Sequence, residues 1–166
     1  MLVGTIKYTG VTISDAPQMI KGRVRLYQEN LLLEMDLTPL SERAGVKLWQ
    51  HITPEPHFIH LFKQIHRGEF LPTRNGAHDV NDFFMLQYES PVQLFDTTKL
   101  THYTIQDILY TTNLAPIDAQ TTAITQVFLL KDLPKERALQ LLASAAKMFC
   151  QINGGDYTID VKEHTQ

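Results

Sequence analysis

The sequence predicts an α+β fold, a mostly antiparallel sheet with helices packed on one face. Short β-branched and aromatic runs alternate with segments whose apolar residues recur at helical spacing, and proline or glycine marks the breaks between them. The stretch 20–37, IKGRVRLYQENLLLEMDL, alternates apolar and other residues on both sides of Glu29-Asn30, so it reads as a β-hairpin.

Residues 2–8 (LVGTIKY) form a first strand, and 10–18 a short extended piece or turn ending at Pro17. In the hairpin, a two-residue turn sets Leu26 opposite Leu33, Val24 opposite Met35 and Gly22 opposite Leu37 on one face. The other face pairs Arg25 with Glu34 and Arg23 with Asp36, so of the cations Lys21, Arg23 and Arg25 only Lys21 lacks an acidic partner, and one spare lysine is not a nucleic-acid surface. Thr38-Pro39 opens a helix over 39–51, with Leu40, Ala44 and Leu48 on its stripe. Thr53-Pro54 opens a second over 54–67, where Phe58, Leu61, Phe62 and Ile65 give a clear apolar face and Gly68 a C-terminal cap.

Residues 68–82 show no sustained period and contain Pro72 and Asn75-Gly76, which predicts a long loop of the kind that carries function. Segments 83–88 and 92–95 read as strands split by Ser90-Pro91. Segment 103–111 is a strand or a short helix capped by Thr104, with the flanking threonines and tyrosines favouring strand. A strand over 121–130 follows, then the longest helix, 133–151, capped by Asp132 and stopped by Asn153-Gly154-Gly155, and a last strand over 157–161.

The chain reads as a single domain, 1–166, in which two βββαβ halves, 1–90 and 91–166, look duplicated. DLTPLSERA at 36–44 resembles DLPKERA at 132–138, although any two helix starts share such chemistry.

With 43% hydrophobic and 20% charged residues over 166 positions, the composition is that of a folded globular chain. A net charge of −3 and the absence of any lysine or arginine run argue against nucleic acid and anionic membrane as partners. No apolar stretch reaches the roughly 20 residues a bilayer requires, and the start MLVGTIKYTG has no signal-peptide pattern, so a cytoplasmic protein is expected. The single Cys150 allows neither an internal disulfide nor a cysteine metal cluster, and its place near an apolar helix face reads as structural.

Chemistry-bearing residues concentrate between 51 and 79. His57 and His60 lie three apart on one helix, with His51 before it and His78-Asp79 after it, an inventory able to ligate a metal. The His-Glu-x-x-His signature is absent, and solvated helix histidines need no ligand, so no metal or cofactor is expected. Arg74 and Asn75, with His57 and His60, are the candidate ligand-binding residues. His78 and Asp79 are the candidate catalytic pair, since histidine beside a carboxylate can titrate near neutral pH. Gly154-Gly155 follows a helix instead of preceding one, and no Gly-x-Ser-x-Gly elbow occurs, which disfavours the common nucleotide and hydrolase chemistries.

The function expected is a non-catalytic cytosolic module for a protein partner or small ligand, assembled as a homodimer that covers an open sheet face or edge. The alternative is a small enzyme, with or without metal, using His57, His60, His78 and Asp79. A deep polar pocket around these side chains favours the enzyme, whereas a flat apolar patch or a tightly packed dimer favours the module.

Overall fold

A computed structural model describes residues 1–165. Among them the chain runs β1 (Leu2–Thr9), α1 (Gln18–Leu37), a 3-10 turn (Leu40–Glu42), α2 (Ala44–Trp49), α3 (His57–His66), α4 (Gly76–Tyr88), β2 (Val92–Asp96), α5 (Ile105–Tyr110), β3 (Ala123–Leu130), α6 (Lys135–Asn153) and β4 (Asp156–Glu163). The strands form one sheet in the order β2-β3-β1-β4, every neighbour antiparallel, so the α+β class holds.

Even-numbered residues of β1 face α6. The Tyr8 ring stacks on Phe149 at 3.9 Å, and a Cβ on Gly4 would sit 2.6 Å from Leu142 Cδ1, so glycine there lets α6 settle onto the strand. This layer is closely packed, with Ile6, Leu142, Ala145 and Phe149 fully buried. One polar chain crosses it: the Tyr8 hydroxyl donates to Gln126 Oε1 at 2.8 Å, Gln126 Nε2 to Asn81 Oδ1 at 2.8 Å, and Asn81 Nδ2 to the Val92 carbonyl at 3.1 Å. Burial holds the Tyr8 hydroxyl far above the usual phenol range, which keeps it a donor. α4 packs beside α6 and onto β2, while α1 lies outermost, on α3 and α4.

The predicted hairpin is instead the 20-residue helix α1. Ile20, Val24, Gln28, Leu31 and Met35 make its buried face, whereas Met19, Leu26, Leu33 and Leu37 stand 62, 58, 65 and 87% exposed. In a helix, residues i and i+2 lie about 200° apart. Apolar residues on two opposite faces therefore mimic the alternation of a strand. The hairpin's ion pairs change accordingly: Arg25 bonds Glu29 one turn on at 3.0 Å, and Glu34 bonds Arg43 at 3.0 Å.

Residues read as a loop and a strand, 68–82 and 83–88, largely form α4. Asn75 caps it by accepting the His78 N–H at 2.8 Å, and the loop shrinks to the residues before it. Ala77, Val80, Phe83, Phe84, Met85 and Leu86 are all buried, so apolar residues surround the axis and no clean helical period survives. Segment 103–111 takes the helical option: Thr104 and Asp107 form a reciprocal capping box that starts α5. The predicted helix 39–51 is broken at Arg43 into a 3-10 turn and α2. The longest helix starts after Pro134; Asp132 is not its cap but sits at φ 54.

Helices are not confined to one face. Tyr103, just before α5, packs against Phe95 of β2 at 5.4 Å on the side away from α6, and Val127 is fully buried on that face. β1 and β4 keep theirs open. The duplication fails as well: among the described residues, 1–90 holds β1 and four α-helices, whereas the remainder holds β2, β3 and β4 with two helices. The DLTPLSERA and DLPKERA segments share helix-start chemistry alone, and they differ in that too, the first leading into a 3-10 turn.

Candidate functional site

The N-terminal half of α4 gathers most of the polar residues singled out in the sequence. His57 opens α3, Arg74 ends the preceding loop, and His78 and Asp82 project from α4 one turn apart; together they line a niche of about 80 Å³ completed by Asn113 and Gln93. Arg74 donates twice from one guanidinium nitrogen to Asp82, at 3.0 Å to each oxygen, and the Asp82 side chain is almost wholly enclosed. Asp79 turns to the other side of the helix end, where it accepts the Arg74 backbone N–H at 2.9 Å. Asn75 is occupied as the α4 cap. His60 points away, exposed, with its Nδ1 3.5 Å from Glu55.

The electrostatics of this niche are those of a sealed helix end. Burial, aided by the Arg74 cation, lowers His78 to about 4, so its imidazole is neutral at pH 7. Burial, with His60 and Arg74 nearby, also lowers His57. Asp82 is pushed up to about 6 by burial against the pull of Arg74, which leaves it ionised and paired at neutral pH. Burial likewise raises Asp79 in spite of its bond to Arg74. The guanidinium is thus already neutralised. A volume of about 80 Å³ holds one or two waters, not a substrate. Among the described residues, no three His, Cys, Asp or Glu side chains are placed to share a metal ion.

Two larger surfaces lie elsewhere, and neither was marked in the sequence. The first is a trough of about 1150 Å³ over the open face of β1 and β4, floored by Val3, Thr5, Lys7, Thr158, Asp160 and Lys162 and walled by residues 103–106. The second is the outer face of α1 and the groove beside it. Met19, Leu26 and Leu33 recur every seven residues with Leu37 four further on, one stripe along a helix some 30 Å long. Next to it, Leu26, Tyr27 and Asn30 of α1, Phe83 of α4 and Met148 of α6 enclose a groove of about 450 Å³. The seven-residue spacing was present in the sequence; the hairpin reading concealed it.

No protein-family model matches the chain. It is similar to the uncharacterized protein YhzB of Bacillus subtilis (strain 168), 29% identical over 182 residues that cover 92% of this chain and 87% of that protein. No solved structure matches it. Among the described residues, no helix is long and apolar enough to cross a membrane.

Proposed function

We propose that the protein is a non-catalytic binding module of the cytosol that takes an amphipathic helix of a protein partner on the outer face of α1. One observation carries this reading. Among the described residues, four of the five large hydrophobic side chains standing exposed belong to one stripe of one helix, which borders a groove lined by Tyr27, Phe83 and Met148. Isolated exposed leucines need no explanation, but an aligned series along a whole helix does. Helix-in-groove recognition lays a partner's apolar anchors, at i, i+3 or i+4 and i+7, against an apolar face of this kind.

The alternative, a small enzyme using His57, His60, His78 and Asp79, has less support. Its residues are dispersed over three surroundings, its cation is committed to Asp82, and its niche is too small for a substrate.

The test is a photo-crosslinking amino acid at Leu33, with one at the exposed Lys147 of α6 as control, each in the protein's native cell. A discrete adduct with another protein from position 33 alone is expected. Equal, diffuse adducts from both positions, or an adduct of this chain with itself, would count against the reading.

A further inference from the structure

The sheet treats its two edges differently. Along β2 two outward groups are met within the chain: the Val92 carbonyl accepts the Asn81 amide at 3.1 Å, and the Asp96 N–H reaches the Ala115 carbonyl at 3.2 Å. β4, eight residues long and without proline or bulge, lies at the other edge. The His164 N–H bonds the Met1 carbonyl at 2.8 Å, and antiparallel pairing alternates, so even-numbered residues of β4 face β1. Tyr157, Ile159 and Val161 therefore point their N–H and C=O groups outward, and among the described residues no backbone group pairs with them there. A long open edge is a template for another strand.

We infer that β4 pairs antiparallel with β4 of a second copy about a two-fold axis at Ile159, forming one eight-stranded sheet. The strand is self-complementary in this register. Ile159 meets Ile159, Tyr157 meets Val161, Thr158 meets Asp160, and Asp156 meets Lys162 of the second copy. The outward groups of residues 157, 159 and 161 then bond one another in phase, and no like charges lie opposite. Moving the axis to Asp160 sets two aspartates face to face. Moving it to Val161 sets the Glu163 carboxylate against Ile159.

A second observation, on α6, agrees. α6 packs on both β1 and β4, so it rides over the seam between them. Strands are spaced about 4.8 Å apart, which puts the α6 helices of two edge-paired copies two spacings, roughly 9.6 Å, from each other. That lies inside the 8–10 Å at which helices pack. The flank of α6 turned away from α4 carries Leu139, Ala143 and Cys150, small or apolar residues suited to such a contact. Among the described residues, Leu139 is the exposed large hydrophobic that does not belong to α1. The trough over β1 and β4, walled on one side by residues 103–106, would continue across the axis into its counterpart. The α1 face lies on the far side of the helical layer and stays free, so the pair would display two docking faces.

The test is light scattering of the full chain at 10–100 µM with cysteine crosslinking in a Cys150→Ser background. A particle of twice the 19.0 kDa chain mass is expected. Mixing Asp156→Cys with Lys162→Cys chains should give a disulfide-linked pair under mild oxidation, since facing residues at non-hydrogen-bonded positions bring Cα atoms within disulfide range. Mixing Asp160→Cys with Lys162→Cys should give at least tenfold less. Ile159→Pro removes an outward N–H without touching the ladder to β1 and should weaken association at least tenfold. A monomer with no crosslink, or a dimer untouched by Ile159→Pro, would overturn edge pairing. Preferential Asp160–Lys162 crosslinking would overturn the register.

Discussion

Arg74 holds the polar end of α4 together, with its backbone N–H on Asp79 and its guanidinium on Asp82. Replacing it with alanine strands a buried carboxylate. The cost should be about 2 kcal/mol, between exposed and fully buried ion pairs because Arg74 is itself part exposed, and urea unfolding measures it. The niche also makes a signed pH prediction. His78 has a native value of about 4 against an ordinary 6.5, so the unfolded chain binds its proton first and stability is lost as pH falls through that interval. Asp82, raised to about 6 from 3.8, binds its proton first in the native state and adds stability over nearly the same interval. The two oppose each other in the parent. Asp82→Asn should unmask the histidine, giving a steeper loss of stability between pH 6 and 4, up to about 1.4 kcal/mol per pH unit, in unfolding curves across that range. A flat slope between pH 6 and 4 in Asp82→Asn would mean His78 is not buried neutral. In the sequence, Arg74, His78 and Asp79 were legible as one polar group. Asp82 was not, because it joins them only when α4 brings it one turn beyond His78.

α1 shows what a period can and cannot reveal. Its buried face recurs at 20, 24, 28, 31 and 35, but glutamine occupies the centre, where Gln28 accepts the Leu71 N–H at 2.7 Å and donates to Val24 at 3.3 Å. That polar member weakened the helical stripe, while the outer leucines supplied a competing alternation. By contrast α3, apolar on one face only, was legible, and so were β1, β3 and β4 as β-branched and apolar runs. Gly22 is the sharpest local check. It stands in a helix interior with nothing within 4 Å of an added Cβ, so Gly22→Ala should stabilise the protein by roughly 0.5–1 kcal/mol. A double-mutant cycle should find about 0.3–0.5 kcal/mol between Arg25 and Glu29 and none between Arg25 and Glu34, which belongs to Arg43. Coupling of Arg25 to Glu34 would restore the hairpin.

At the scale of the molecule, an antiparallel sheet is buried by α6 and α4 on one face and half covered by α5 on the other. α1 is left as an outer wall, apolar inward and outward alike. Composition announced a folded globular chain, but which apolar residues end up outside is a property of tertiary packing, and no composition carries it. The outer stripe costs the isolated chain solubility and adds nothing to its core. The proposed docking face would account for it. Leu26→Lys combined with Leu37→Lys tests this most directly. As exposed positions, they should leave the melting temperature within about 4 °C of the parent, while the adduct formed from a photo-crosslinker at Leu33 in the native cell disappears. A large drop in melting temperature would place these leucines in the core, and an adduct that survives both charges would show that the face does not hold the partner.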